Sequence, residues 1–541
     1  MITQTLTQTS SHGFPFVGLL LGLPFLGALV VALLPSAHAL AIRIVSLLTT
    51  AATLGVAIAM GIVFNPHAAG YQFVTNHTWA ASLGTSWLTG VDGVSLFIIG
   101  LTALVTPLVL LGAPVGTRSK SYIAWVLVLE GACIGSFVSL DLVLFFLFFE
   151  LTLIPSYFLI VGWGGRNRAA AATKFFVYTF VGSAFLLVGI LYVAFQHSAN
   201  TGHLTFSLLE LQGGSFSALT GMLLLAAFTF AFAIKAPIFP FHTWSPDTYS
   251  EAPAGAAMLL SAILAKLGTY GMIRFDLTLF PHAARVAAPV LLTLATISIL
   301  YGAIVACAQK DLKRLVAYSS LAQVGFIALG TFAFSTQALS GAVLLMLNHG
   351  IITAAFFLLI GWIAERRGTW QLDDLKGLQG PAPVLAAIFT VVMLASIGLP
   401  GLNGFVSEYL VLLGTFLTHV WWASVATLGV IFAALYLLWA YQRAFQGKAE
   451  GANAETKDLG MRERLIIAPL IILIVVLGLL PGWALNRIEP SVNRILVPIS
   501  QDAGCNTFHR LPAGATETQC SVKISFHQAA DTAAATTGES K

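Results

Sequence analysis

Two lysines stand inside apolar runs where lysine is costly. Lys235 and Lys266 lie in residues 221–274, GMLLLAAFTFAFAIKAPIFPFHTWSPDTYSEAPAGAAMLLSAILAKLGTYGMIR, in which two apolar segments flank a polar, proline-rich turn. A lysine at the centre of a membrane helix costs about 2.5–3.5 kcal/mol on insertion scales. A snorkelling lysine near a helix end is the ordinary alternative. It fits Lys266 poorly, because apolar residues extend on both sides, and Lys235 better, because Pro237 and Pro240 follow. Further ionisable residues share this setting. Glu150 lies between DLVLFFLFF and LTLIPSYF, Glu408 in GFVSEYLVL, His349 in LLMLNHGIITAAFF and Glu130 in WVLVLEGACIG. The chemistry open to such a set is proton transfer. In a dry interior an ionised group loses its hydration, and an opposite charge nearby restores part of the loss. A Glu150–Lys235 pair would therefore change state when an outside charge approaches. Lys235, Lys266, His349 and Glu408 would form a row whose members titrate together. The bland reading of Glu150 is an ion pair that fixes helix packing. Asp141 opens its apolar run, where a helix cap is the more usual role, and a lone histidine such as His349 is a weak signal by itself.

The elements that carry these residues are membrane spans. The chain has 541 residues, 57% hydrophobic and 9% charged, with mean hydropathy +0.88. Soluble domains carry about 25% charged residues, so the class is an all-α polytopic membrane protein. The net charge of +4 says little about nucleic acid, since the basic residues sit in short loops. No long soluble segment is present to house a dinucleotide fold or a P-loop. The four cysteines form no CxxC pair, which argues against an iron–sulfur or zinc site. The first apolar run lacks a basic leader and reads as a retained span.

A crossing helix needs about 20 apolar residues. Such runs predict about fourteen spans, at 14–35, 40–63, 91–113, 122–139, 141–163, 175–195, 218–240, 254–274, 287–308, 315–334, 338–363, 383–418, 420–443 and 464–485. Alternate loops carry the positive charge: Arg43; Arg118 and Lys120; Arg166 and Arg168; Lys310, Lys313 and Arg314; Arg366, Arg367 and Lys376; Arg443, Lys448, Lys457, Arg462 and Arg464. Residues 65–90 and 196–217 have none, while Arg274 and Arg285 are exceptions. Positive-inside logic puts the basic loops in the cytoplasm and both termini on the other side.

Two spans are irregular. The seventh contains Lys235-Ala236-Pro237 and Pro240; the twelfth, long for one crossing, contains GLPGLNG at 398–404. Such breaks are tolerated where the freed backbone faces protein or a wet cavity, although a simple proline kink is common. They stand five spans apart, an odd number, so the two copies would cross in opposite directions. This predicts inverted five-helix repeats, at 122–274 and 287–443, with broken seventh and twelfth helices. Spans 1–3 (1–121) precede them; span 14 (464–485) and a non-cytoplasmic tail (486–541) follow.

Four segments now support a resemblance: FFELTLIPSYFLIVGWGG; FAIKAPIFPFHTWSPDTYSEAPAGAAMLLSAILAKLGTYGMIRF; DLKRLVAYSSLAQVGF; and GLPGLNGFVSEYLVL. The chain resembles the antiporter-like, proton-pumping subunits of respiratory complex I, an NADH:quinone oxidoreductase. Within them it is most similar to the subunit M branch, which is called chain 4 in mitochondria and has a counterpart in photosynthetic versions of the complex. Glutamate at position 408, where subunit L usually has lysine, favours that branch. The resemblance covers spans three to thirteen; the first two spans and the tail resemble nothing specific. It implies proton translocation through Glu150, Lys235, Lys266, His349 and Glu408, with Glu130, Asp141, Tyr318, Ser319, Ser320 and Gln323 as secondary members. It implies no cofactor in this chain, with FMN, iron–sulfur clusters and quinone in partner subunits. It further implies contacts with neighbouring antiporter-like subunits and the lipid bilayer, and a place in a bacterial inner membrane. Subunits of multisubunit sodium/proton antiporters and membrane-bound hydrogenases share these motifs and are the alternative. One departure stands out. Many relatives read AYSSxxHxG where this chain reads AYSSLAQVG, so Gln323 replaces a titratable histidine with an amide.

In the tail, Cys505 and Cys520 flank a segment with Pro512 and Gly514. A disulfide between them is expected, closing a loop worth about 3 kcal/mol by chain entropy.

Overall fold

The computed structural model describes residues 13–112 and 119–502. Cys505, Cys520 and Arg118 lie outside the described residues, and Cys133 and Cys307 within them are free thiols. The chain starts with α1 (Phe16–Leu33) and α2 (Ala39–Val63). It then makes an antiparallel hairpin of β1 (Gln72–Ala80) and β2 (Thr85–Val91), which no sequence pattern announced in the lysine-free loop. The helices α3 (Gly93–Gly112) and α4 (Lys120–Val138) follow. The fifth span is α5 (Leu142–Leu151) and α6 (Leu153–Trp163), interrupted at Thr152; the sixth is α7 (Arg168–Thr201). A short α8 (Leu208–Leu211) sits in the next loop.

The seventh span is broken, as its prolines predict, but it does not end near residue 240. After α9 (Ala218–Lys235) the chain unwinds and resumes as the half-helix α10 (Trp244–Glu251). The freed backbone finds partners inside the protein. The indole of Trp244 donates to the Ile234 carbonyl at 2.8 Å, and Phe239 N–H donates to Ser298 Oγ at 2.9 Å. The loop basic residues that set the topology also hold α10. Lys313 Nζ donates to the Ala252 carbonyl at 2.9 Å, at the carbonyl end of the half-helix where a cation is favoured. Asp247 of α10 pairs with Lys174 at 2.8 Å and Arg314 at 2.7 Å.

The eighth span is α11 (Ala254–Leu259), a π turn (Leu260–Leu264), α12 (Ala265–Gly271), a second π turn (Met272–Asp276) and α13 (Leu277–Leu279). It runs five residues beyond the expected limit and is buried from Gly255 onward. Then come α14 (Pro281–Cys307), α15 (Leu312–Phe332) and α16 (Thr336–Arg367). The twelfth span is broken too, into α17 (Pro383–Ile397) and α18 (Asn403–Thr418). Gly398 (φ +81°) and Gly401 (φ +94°) take the left-handed turns between them. From a loop further along the chain, Asp458 accepts from the Val384 and Leu385 amides and so caps α17. Burial pushes its carboxyl up, but these amides, that of Leu459 and the Arg464 charge outweigh burial and hold it below the usual carboxylate range.

The chain continues as α19 (Val420–Phe445), α20 (Met461–Leu479) and α21 (Gly482–Asp502). Twelve described spans are long and apolar enough to cross a membrane. The count of fourteen is approximate, reached by adding the broken α17–α18 pair and α20. The expected fourteenth span and tail are redrawn here. α20 stops at Leu479, and α21, bent 72° from it, begins inside the last expected span and runs on into the expected tail. α21 buries Ile488, Val492, Ile495 and Ile499 and exposes Asn486, Glu489, Asn493 and Val497, an amphipathic pattern rather than a crossing one.

The spans expected to correspond in the two repeats share a device. Asp141 caps α5 through the Val143 and Leu144 amides and bridges to Ser207. Asp311 caps α15 through the Lys313 and Arg314 amides and bridges to Gln371. In each case the carboxylate caps its helix while a backbone bridge ties the start of the span to the loop that follows the next one.

Candidate functional site

The site is built on the two broken spans and on the helices between them. Lys235 is the last residue of α9, 1% exposed. Its ammonium donates to Thr152 Oγ1 at 2.8 Å and lies 4.5 Å from the centre of the Phe149 ring. Thr152 stands where the fifth span is interrupted, so a hydroxyl is available at that depth. The direct Glu150–Lys235 ion pair expected from the sequence is not formed. Glu150 is near enough to interact with Lys235 through space, but its Oε1 has no hydrogen-bond partner among the described residues and the lysine is held by the threonine instead. Glu130 is buried in α4, and neither of its carboxylate oxygens finds a partner among the described residues. Asp141 serves as the helix cap already described and accepts a further bond from the Ser86 amide at 3.0 Å.

Lys266 has no exposed surface. Its ammonium donates to the Ser261 carbonyl at 2.7 Å and meets His349 Nδ1 at 2.8 Å. The π turn at Leu260–Leu264 places the Ser261 carbonyl one wide turn before the lysine, a distortion that recurs at functional positions. While Lys266 is an ammonium it only donates, and His349 then accepts at Nδ1 and carries its proton on Nε2. Nε2 has no partner among the described residues. The Ser261 hydroxyl lies 3.2 Å from that of Ser320, and Tyr436 donates to Ser319 Oγ at 2.8 Å. Ser320 therefore joins the buried network through Ser261, Ser319 is paired with Tyr436 beside it, and Tyr318 is partly exposed and has no hydroxyl contact with it.

Glu408 lies in α18 one turn past the break. Gln323 Nε2 donates to its Oε1 at 2.7 Å. The amide in the histidine position is therefore the direct partner of the carboxylate. Gly398 lies against the other oxygen: a methyl group there would come within 2.7 Å of Glu408 Oε2. His349 and Glu408 are bridged by their sequence neighbours. Asn348 Nδ2 donates to the Asn403 carbonyl at 2.8 Å and to Ser407 Oγ at 3.2 Å, and Asn403 Nδ2 returns a bond to Asn348 Oδ1 at 3.2 Å. Asn348, Asn403 and Ser407 were missed from the sequence, although two asparagines in apolar runs were a legible signal.

A second buried cluster was misread. Arg274, taken as a loop exception to the charge pattern, is 0% exposed. It grips Asp92 with two bonds, at 2.6 and 2.8 Å, and also donates to the hydroxyls of Tyr71 (2.8 Å) and Tyr270 (3.0 Å). Arg494 of α21 reaches the same carboxylate at 3.1 Å. Among the described residues no group of three metal-ligating side chains gathers.

This arrangement can now be set beside known proteins. Residues 139–433 match the family model described as NADH:quinone oxidoreductase/Mrp antiporter, transmembrane. The chain belongs to this family. NADH-quinone oxidoreductase subunit M of Mycobacterium tuberculosis is 37% identical over 94% of the chain and 99% of its own length. The subunit M of Rickettsia prowazekii is 41% identical over 79% of the chain and 87% of its length. Among solved structures, a chain of respiratory complex I from Thermus thermophilus with bound NADH superposes with a TM-score of 0.80. It is 31% identical, covering 89% of this chain and 99% of that one. A chain of the Mrp complex from Dietzia sp. has a TM-score of 0.79 at 22% identity and shares the fold. The family match spans both broken helices and every ionisable residue expected in the relay except Glu130, which precedes it.

Proposed function

We propose that the chain is a subunit-M-type antiporter-like module of a proton-translocating NADH:quinone oxidoreductase. It moves protons through Glu150, Lys235, Lys266, His349 and Glu408. The observation that carries this reading is the Lys266–His349 contact at 2.8 Å, deep in the membrane region and flanked by the two broken helices. Two basic groups at this distance share one excess proton. When His349 accepts it at Nδ1, Lys266 becomes a neutral amine and the histidine can release its Nε2 proton onward. The asparagine–serine bridge and Gln323 then lie between the histidine and Glu408. Lys235, held by Thr152 and within range of Glu150, is the group whose charge biases Lys266. In this reading the chain carries no redox centre. FMN, iron–sulfur clusters and quinone belong to partner subunits, whose electron transfer shifts the charge states here. Neighbouring antiporter-like subunits flank it in a bacterial inner membrane, with both termini on the non-cytoplasmic side. Kinship with the sodium/proton antiporter and hydrogenase-type assemblies rests on shared motifs and on fold at 22% identity, whereas the relatives at 37–41% identity are named subunit M.

The pair of variants Glu150→Gln and Glu150→Asp tests the role of the fifth-span carboxyl. Proton uptake by sealed vesicles, normalised to quinone reduction, should fall by about tenfold in the glutamine variant and less in the aspartate variant, which keeps the charge. Equal and wild-type pumping in both would remove Glu150 from the route.

A further inference from the structure

One fully buried carboxyl takes no part in the relay. Asp276 closes the second π turn of the eighth span and is 0% exposed. Its Oδ2 accepts from the Thr229 hydroxyl at 2.8 Å, and its Oδ1 has no hydrogen-bond partner among the described residues. No cation among the described residues pairs with it. Arg274, two positions earlier, is committed to Asp92 through two bonds. An unpaired charge in such a place costs several kcal/mol. The charge of this group is therefore tied to the coming and going of its proton.

Its position relative to Lys235 is informative. Thr229 precedes Lys235 by six residues on α9, about 9 Å along the axis, and Asp276 follows Lys266 by ten, about 15 Å along its span. Both displacements run toward the Ser217 and Phe280 end, away from the half-helix α10. Four buried rings lie between. Phe149 carries the Lys235 ammonium on its face and stands 5.3 Å from Phe145 and 6.1 Å from Phe232. Phe275, the residue before Asp276, stands 4.4 Å from Phe145 and 6.0 Å from Phe232. These rings have no donor or acceptor to pass a proton, so they close the direct path between the two ionisable groups. Thr229 itself is only partly buried, and its hydroxyl links the carboxyl to the edge of the helix packing.

We propose that Asp276 is a further proton-holding group of the transport route, set on the far side of this aromatic barrier from Lys235. When the rings part, the Lys235 ammonium releases a proton through water, its N–H bond breaking as an O–H bond forms on the Asp276 carboxylate. The Asp276 carboxyl later gives that proton to the Thr229 hydroxyl as the hydroxyl passes its own to water at the Ser217 and Phe280 end. The proposal rests on the transport reading above and adds a branch to it.

Asp276→Asn in the intact complex tests the idea, because the amide oxygen still accepts from Thr229 and keeps the helix contact. Two readouts are taken: proton flux per quinone reduced in sealed vesicles, and the redox-induced infrared difference spectrum in the carboxyl region. The expected result is a flux loss of about tenfold or more with disappearance of one carboxyl band, both partly restored in Asp276→Glu. Wild-type flux with all bands retained overturns the proposal. Lys235→Ala measured in the same vesicles separates the two levels. If it loses pumping while Asp276→Asn does not, only Asp276 is excluded; if both pump as wild type, the transport reading fails as well. Should Asp276→Asn not assemble, Thr229→Val decides. A lowered flux with a shifted carboxyl band supports the proposal, and wild-type flux overturns it.

Discussion

At the residue scale, Gln323 shows how a substitution for a titratable group changes a role without emptying the position. Its amide cannot exchange a proton near neutral pH, yet it donates to Glu408 at 2.7 Å and so fixes the carboxylate that ends the row. A hydrogen bond to a charged group contributes about 1.5–3 kcal/mol. Gln323→Leu should therefore misplace Glu408 and slow pumping by about tenfold or more, while Gln323→His, which can still donate, should pump at or above the wild-type rate. The comparison of the two in sealed vesicles checks this, and a severe loss in the assembled histidine variant would contradict it. The residues legible from sequence were those whose type clashed with an apolar setting, namely Lys235, Lys266, Glu150, Glu408 and His349. Of their partners, His349 and Gln323 were legible, but Thr152 and Ser261 were not. Thr152 and Ser261 are ordinary residues of membrane helices, and only the interruption at one and the π turn at the other turn them toward an ammonium.

At the element scale, the broken twelfth span depends on glycine at one position. Gly398 has φ +81°, and its Cα faces Glu408 Oε2. A side chain there meets both a left-handed backbone, costing about 1–2 kcal/mol, and the carboxylate that ends the row. Gly398→Ala should lower the thermal stability of the purified complex and reduce pumping more than quinone reduction. A variant matching wild type in both would show that the break is not held in this conformation. The two breaks were readable because proline and glycine cannot continue a helix. The half-helix α10 was not, because it is short and polar and is kept helical by tertiary partners, among them Lys313 at its carbonyl end and the Asp247 ion pairs. The hairpin β1–β2 escaped for a similar reason: it is one isolated two-stranded unit, supported by the helices beneath it.

At the scale of the whole molecule, the cluster of Arg274, Asp92 and Arg494 joins the eighth span, the start of α3 and α21 in one buried knot. Removing one partner of a buried pair costs about 3–5 kcal/mol. Arg274→Ala should therefore reduce the yield and thermal stability of the assembled complex. Arg274→Lys should not restore it, because an ammonium cannot reproduce the two-pronged grip. Normal stability in the alanine variant would show that the knot is dispensable. Charge alternation in the loops agreed with a count of about fourteen spans. It misassigned Arg274 because a buried arginine and a loop arginine look alike without their partners, and it missed α21 because an amphipathic helix has no long apolar run. The central claim, that this framework exists to carry protons past Lys235, is tested most directly by Lys235→Ala in sealed vesicles, with proton uptake and quinone reduction measured on the same preparation. The account predicts that pumping falls by about tenfold or more while the complex still assembles; assembled vesicles that pump as wild type would contradict it.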